Sequence, residues 1–155
     1  MSQSQRENEI ELYVDGSCEP QNPGGNGVAG AVLYANGLTD GRSRYLGSGS
    51  YMSNNVAEYA GLRLGLEICR EHNITSNFTI YSDSQLVVNQ MNGRWKAIGR
   101  KLYTQVFLDT KEYFYQHFNV PSIKIKWVAG IDNPADAYTR TKDASDFDYA
   151  VESDR

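Results

Sequence analysis

Residues 10–14 alternate between apolar and polar positions, with Ile10, Leu12 and Val14 set against Glu11 and Tyr13. A period of two predicts a strand. Asp15-Gly16-Ser17 ends it, and residues 18–27, dense in Gly, Pro and Asn, read as a loop. The mostly apolar run 28–34 predicts a second strand, Ala35-Asn36-Gly37 a hairpin turn, and the polar, Gly-containing stretch 44–51 a third strand near an edge. Three strands joined by turns predict an antiparallel meander.

The period then changes. Between residues 54 and 71, Ala57, Ala60, Gly61, Leu64 and Ile68 recur at helical spacing. Ser53 or Asn54 is the predicted N-cap, and the small residues Ala60, Gly61 and Gly65 let this helix lie close to a sheet. A short strand (77–82), a short helix (83–91) and a basic connection bearing Trp95 (93–99) come after it. Next come a helix (100–118) with Leu102, Val106, Phe107 and Tyr113 toward the core, an alternating strand (122–128) and a last helix (134–140) opened by Pro134. The order β-β-β-α-β-α-α-β-α predicts an α/β domain, a mixed sheet with helices on its faces. A polar tail (1–8) precedes this domain (9–141). An acidic tail (142–155) ends the chain, with Phe147 and Tyr149 as anchors.

Composition narrows the class. The 155 residues are 40% hydrophobic and 22% charged, proportions of one folded domain. No apolar run approaches a membrane span, and the N-terminus lacks the apolar stretch of a secretory signal. A cytoplasmic monomer without a membrane partner is expected. Cys18 and Cys69 are too few for a disulfide framework and are expected as free thiols. His72 and His117 lack a partner at metal-ligand spacing and read as residues near helix C-termini. A net charge of −4 argues against a broad basic surface for nucleic acid. Divalent ions and a local basic patch can still supply positive charge at a site.

Four acids stand where a solvated surface explains them poorly. Asp15 ends the first strand, Glu58 lies in the first turns of the long helix, Asp83 follows the strand FTIYS, and Asp136 opens the last helix. Singly, each reads as a cap or an exposed side chain, Asp83 above all as an N-cap. Together they are expected to converge on one side of the sheet. Clustered carboxylates repel, and two divalent cations, Mg²⁺ or Mn²⁺, would relieve the conflict and suit phosphodiester cleavage.

The blocks YVDGS, NNVAEYAGLRLGLE, IYSDSQLVVNQMNG and KWVAGIDNPADAYTR, in this order, resemble those of the type 1 ribonuclease H family over residues 9–141. The resemblance implies a ribonuclease H-like five-stranded sheet of order 3-2-1-4-5 and metal-dependent hydrolysis of the RNA strand of RNA–DNA hybrids. It implies that Asp15 bridges two metals, that Glu58 and Asp83 hold the ion on the leaving-group side, and that Asp136 holds the ion of the attacking water. Asn54, Asn55 and Gln85, with Cys18 and Asn22, correspond to positions that read the minor groove, and Ser53 to one that holds a DNA phosphate. Double-stranded RNA is a further partner such readers of 2′-hydroxyls admit.

Trp95, between Arg94 and Lys96, is a candidate to stack on a sugar or base, with Lys96 beside it; covering apolar surface is the competing role. Trp127 reads as core, and Lys124 and Lys126 as the solvated face of an edge strand. The chain departs from the family pattern in three ways. Ile131 follows Gly130 where many members carry a histidine, the basic handle is reduced to residues 92–96 with Arg100 and Lys101, and Glu19 adds negative charge beside the first block. Those departures keep open a binding module of the same fold that cuts little or not at all. The stretch DNPADAYTR is also similar to ribonuclease H domains of retroelements, which leaves the origin open.

Overall fold

The computed structural model describes residues 9–97 and 102–140. Both predicted tails, with Phe147 and Tyr149, and the Arg100–Lys101 pair lie outside the described residues. Strands β1 (Ile10–Glu19), β2 (Gly24–Ala35) and β3 (Leu38–Gly49) form the expected antiparallel meander. Helix α1 (Asn54–Glu71) leads to β4 (Thr79–Ser82), and α2 (Gln85–Met91) and α3 (Leu102–His117) lead to β5 (Lys124–Trp127). Strand β4 runs parallel to β1 and β5 parallel to β4, giving the order β3-β2-β1-β4-β5. Two 3-10 segments, Gly130–Asp132 and Pro134–Thr139, close the described chain.

Three expectations need correction. The stretch 18–27 is not loop throughout: Cys18 pairs with Gly27 and Glu19 with Asn26, so only a short turn separates β1 from β2. The long hairpin's pairing overrides the local turn composition. The third strand starts at Leu38 because the turn is tight. Asn36 and Gly37 both take positive φ, 53° and 84°, as two-residue hairpin turns require. The last predicted helix is 3-10, capped by Asn133, whose side chain accepts from the Ala135 N–H.

The core lies between the sheet and α1, which packs on β1 and β2, with α3 against α1. Leu12, Val14, Leu62, Leu64 and Ile68 are fully buried there. The buried side of α3 is Phe107, Thr110 and Phe114, whereas Tyr113 is half-buried under the Arg63 guanidinium, 3.9 Å from its ring centre.

Helix α1 approaches β1 closely where the acids lie. A Cβ added at Gly61 would lie 2.1 Å from the Asp15 carbonyl oxygen, and one added at Gly16 would lie 2.1 Å from the Ala57 carbonyl carbon. Helix and strand thus touch backbone to backbone at Asp15-Gly16. Glu58, one turn before Gly61, is carried to the same place.

Candidate active site

Strand alternation decides where each acid points. The built Cβ of Gly16 meets α1, so Leu12, Val14 and Gly16 face that helix and Asp15 faces away from it. On Asp15's side, the Ser17 hydroxyl donates to the Thr139 carbonyl at 3.2 Å. Glu58 comes from α1, on the other side of the sheet. The sequence predicted that the four acids would converge on one side of the sheet, whereas Asp15 and Glu58 approach from opposite faces. They meet past the end of β4, whose last residue, Ser82, pairs with Val14. Beyond that pair the sheet between β1 and β4 is open, and Asp83 leaves it one residue later.

Asp83 is not an N-cap. Ser84 caps α2, accepting from the Val87 N–H, and the Asp83 carboxylate is left to the cluster. One carboxylate oxygen from each of Asp15, Glu58 and Asp83 lies within 4.8 Å of the others. Asp15 is 4% exposed and Glu58 9%. The Gly16 N–H donates to Asp15 Oδ1 at 2.9 Å. Glu58 Oε1 is buried without a hydrogen-bond partner.

Asp136 sits at the rim. Its carboxylate is held by Arg140 at 3.1 Å, and the same guanidinium reaches Glu19, also at 3.1 Å. The negative charge at Glu19 is thereby answered within the chain. Asp136 still acts on the cluster, since its proximity raises Asp15. Sequence reasoning missed Asn133, whose Nδ2 donates to the Val14 carbonyl at 3.0 Å and ties the last segment to β1. The Asn-Pro pair at the start of that segment was the available signal.

Burial and mutual repulsion dominate the electrostatics. Burial, then the charge of Asp83, pushes the Asp15 carboxyl up to about 7. Burial, then Asp15, raises Glu58 well above the usual range. Burial raises Asp83 as well, against a hydrogen bond from Asn133 that lowers it. Three such groups cannot all ionise without a compensating cation. Their all-oxygen donor set and the unpartnered Glu58 oxygen fit a hard divalent ion.

The other sequence candidates surround this point unevenly. Ser53 caps α1, accepting from the Val56 N–H at 3.3 Å. Asn54 is exposed and Asn55 half-buried, and neither side chain bonds a described residue; the Asn54 N–H donates to Asn22 Oδ1 at 2.9 Å. Gln85, Trp95 and Lys96 are exposed. Cys18 is buried in the β1–β2 ladder, its thiol turned to the Gln21 carbonyl, so that side chain is closed to an outside ligand. Cys18 and Cys69 are free thiols. Trp127 is not core: it is 50% exposed, because β5 is an edge strand, and its indole N–H donates to the Asp83 carbonyl at 3.2 Å. Among the described residues, no helix is long and apolar enough to cross a membrane.

Comparison with known proteins agrees with this geometry. The RNase H family model matches residues 7–138. The chain is 31% identical over 130 residues to a ribonuclease H of Desulforamulus reducens, covering 79% of this chain and 76% of the relative. The N-terminal RNase H domain of Rv2228c from Mycobacterium tuberculosis superposes with a TM-score of 0.69 at 28% identity, over 82% of this chain and 92% of that one. LC11-RNase H1, solved in complex with an RNA/DNA hybrid, gives 0.71 at 26% identity, over 84% and 93% of the two chains. With the sheet order, the acid cluster and these matches in agreement, the chain belongs to the RNase H family of enzymes.

Proposed function

We infer that this chain is a divalent-metal-dependent endoribonuclease that hydrolyses the RNA strand of RNA–DNA hybrids. The observation that carries the reading is the buried Asp15–Glu58–Asp83 triad with one Glu58 oxygen left unpartnered. Such a cluster costs the metal-free fold stability, and a binding module would gain nothing from keeping it. The hybrid bound by LC11-RNase H1 supports the substrate class.

Asp15, Glu58 and Asp83 would hold the Mg²⁺ or Mn²⁺ ions, and Asp136, here paired with Arg140, would complete the donor set for a second ion. Such ions, when bound, lower the pKa of an attacking water and stabilise the leaving oxygen. The protein's own work is positioning. Asn133 fixes the Asp136 segment to β1, and the Gly16 N–H orients Asp15. Asn54, Asn55, Gln85 and Asn22 offer amides for 2′-hydroxyls and base edges in a wide, shallow minor groove. Ser53 accepts from Val56 and keeps its hydroxyl proton to donate to a phosphate. Trp95 and Lys96 extend the contact on the exposed loop after α2. All four acids come from one chain, so a monomer suffices.

One observation favours the competing module that binds without cutting. Ile131, 95% exposed, occupies the loop after β5 where an imidazole would assist proton transfer. Incubating the chain with labelled hybrid, double-stranded RNA and double-stranded DNA, each with Mg²⁺ or Mn²⁺, separates the readings. Cutting of the RNA strand in the hybrid supports the enzyme, and binding of hybrid with every strand intact supports the module.

A further inference from the structure

A groove of about 380 Å³ lies beside the acid cluster, between α2 and β5. Gln85 and Asn89 line it from α2, Arg94 from the loop after that helix, and Lys126 and Trp127 from β5. The indole of Trp127 is half exposed, yet its N–H is anchored to the Asp83 carbonyl. A large aromatic face is thus tethered to the backbone of Asp83, one of the clustered acids. The groove's volume falls in the range of small-ligand pockets.

Four of the arginines elsewhere on the described surface are neutralised. Arg42, Arg44, Arg63 and Arg140 are each engaged by a carboxylate. The Arg94 guanidinium meets only the neutral Asn89 amide oxygen, at 3.3 Å. Among the described residues, no carboxylate forms an ion pair with Arg94 or Lys126. On a chain of net charge −4 this is a local positive patch around an exposed indole. Stacking faces flanked by cations are how proteins hold single-stranded nucleic acid. The amides of Gln85 and Asn89 add donors and acceptors for a base edge.

We propose that this groove binds an unpaired base and its flanking phosphates in a single-stranded extension of the RNA strand. The inference rests on the hybrid-cleaving reading above. A base inside a duplex already has both faces covered by its neighbours, so an indole in this groove is matched by an unpaired one. Gln85 lines both the groove and the predicted minor-groove contact, which assigns the extension to the RNA strand.

The test uses the full chain carrying Asp15→Asn, so that substrate stays uncut, and fluorescence anisotropy in Mg²⁺ buffer. The ligands are a blunt hybrid, the same hybrid with a short RNA extension at either end, and the same with a DNA extension. An RNA extension at one end should tighten binding roughly fivefold or more, the lower range for one stacked base. Trp127→Ala should erase that gain. Trp127→Phe, which keeps an aromatic face but loses the tether to Asp83, should retain most of it. Arg94→Gln with Lys126→Gln should reduce the gain and lower its salt slope by about 0.7 per cation, and this pair decides the matter if Trp127→Ala fails to fold. Equal binding of blunt and extended hybrids overturns the proposal, as does a gain that survives Trp127→Ala or is lost equally in Trp127→Phe. An equal gain from DNA extensions overturns the assignment to RNA. Failure to bind even the blunt hybrid overturns the functional reading first, and this proposal with it.

Discussion

Replacing Asp15 by Asn removes one charge from an overcrowded cluster while keeping an oxygen for the Gly16 N–H. In the metal-free protein the Asp15 carboxyl rises from 3.8 to about 7. At 1.36 kcal/mol per pH unit, ionising it in the fold opposes stability by roughly 4 kcal/mol. The sign comes from proton binding: between pH 4 and 7 the folded chain holds this proton more tightly than the unfolded chain does. Stability therefore falls as pH rises through that window, by roughly 3 kcal/mol between pH 5 and pH 8. An amide at this position has no proton to lose, so the share of the pH dependence due to Asp15 vanishes in the variant. The buried amide hydrogens recover less than they lose in solvation, about 1–2 kcal/mol, leaving a net gain of roughly 2 kcal/mol at pH 8. Urea unfolding in chelator at both pH values measures this. Adding Mg²⁺ should then stabilise the parent, as any ligand of the native state does, and leave the variant nearly unmoved. A variant equal to or less stable than the parent at pH 8, with its fold intact, would refute the electrostatic reasoning.

Gly61→Ala forces a methyl to within 2.1 Å of the Asp15 carbonyl, so α1 must lift from β1; urea unfolding should show a loss of about 2 kcal/mol or more, and an unchanged midpoint would contradict the close approach. Asn55→Ala should raise KM for hybrid about fivefold, the worth of one hydrogen bond, without altering stabilisation by Mg²⁺; an unchanged KM removes Asn55 from the interface. Because burial raises Asp15, Glu58 and Asp83, protons compete with metal. Apparent Mg²⁺ affinity, followed by thermal shift, should therefore be about tenfold or more weaker at pH 6 than at pH 8, and a flat profile would deny that these carboxyls are the ligands.

The meander, the mixed sheet and the meeting of Asp15, Glu58 and Asp83 were legible because they depend on local signals, while the strand order came from the family resemblance. Period two in IELYV, the helical stripe through Ala57 and Ile68, and acids placed at element ends all survive in a single sequence. What escaped was set by pairing across the fold. Glycine and proline between Cys18 and Gly27 spoke for a loop, yet the hairpin zips through Cys18 and Glu19. Trp127 looked like core by type, but its place on an edge strand leaves it open to solvent. Asp83 looked like a cap because Ser84, the residue that takes that role, is an equally good one. That Glu58 and Asp15 come from opposite sides of the sheet is a consequence of the Gly16–Ala57 contact, which no periodicity reveals.

Whether the buried carboxylates act through a divalent ion to cut RNA in a hybrid is tested most directly by following cleavage of an end-labelled RNA strand, annealed to DNA. Mg²⁺ is titrated into the parent and into Glu58→Gln. Glu58→Gln keeps the side chain's size and removes the charge whose oxygen lies buried without a partner. The parent should cut the RNA strand in proportion to metal occupancy, leave the DNA strand whole, and be silent in chelator, while Glu58→Gln stays inactive across the titration. Cleavage by Glu58→Gln at the parental rate, or an inert parent that has bound both metal and hybrid, would contradict a metal-dependent nuclease built on these acids.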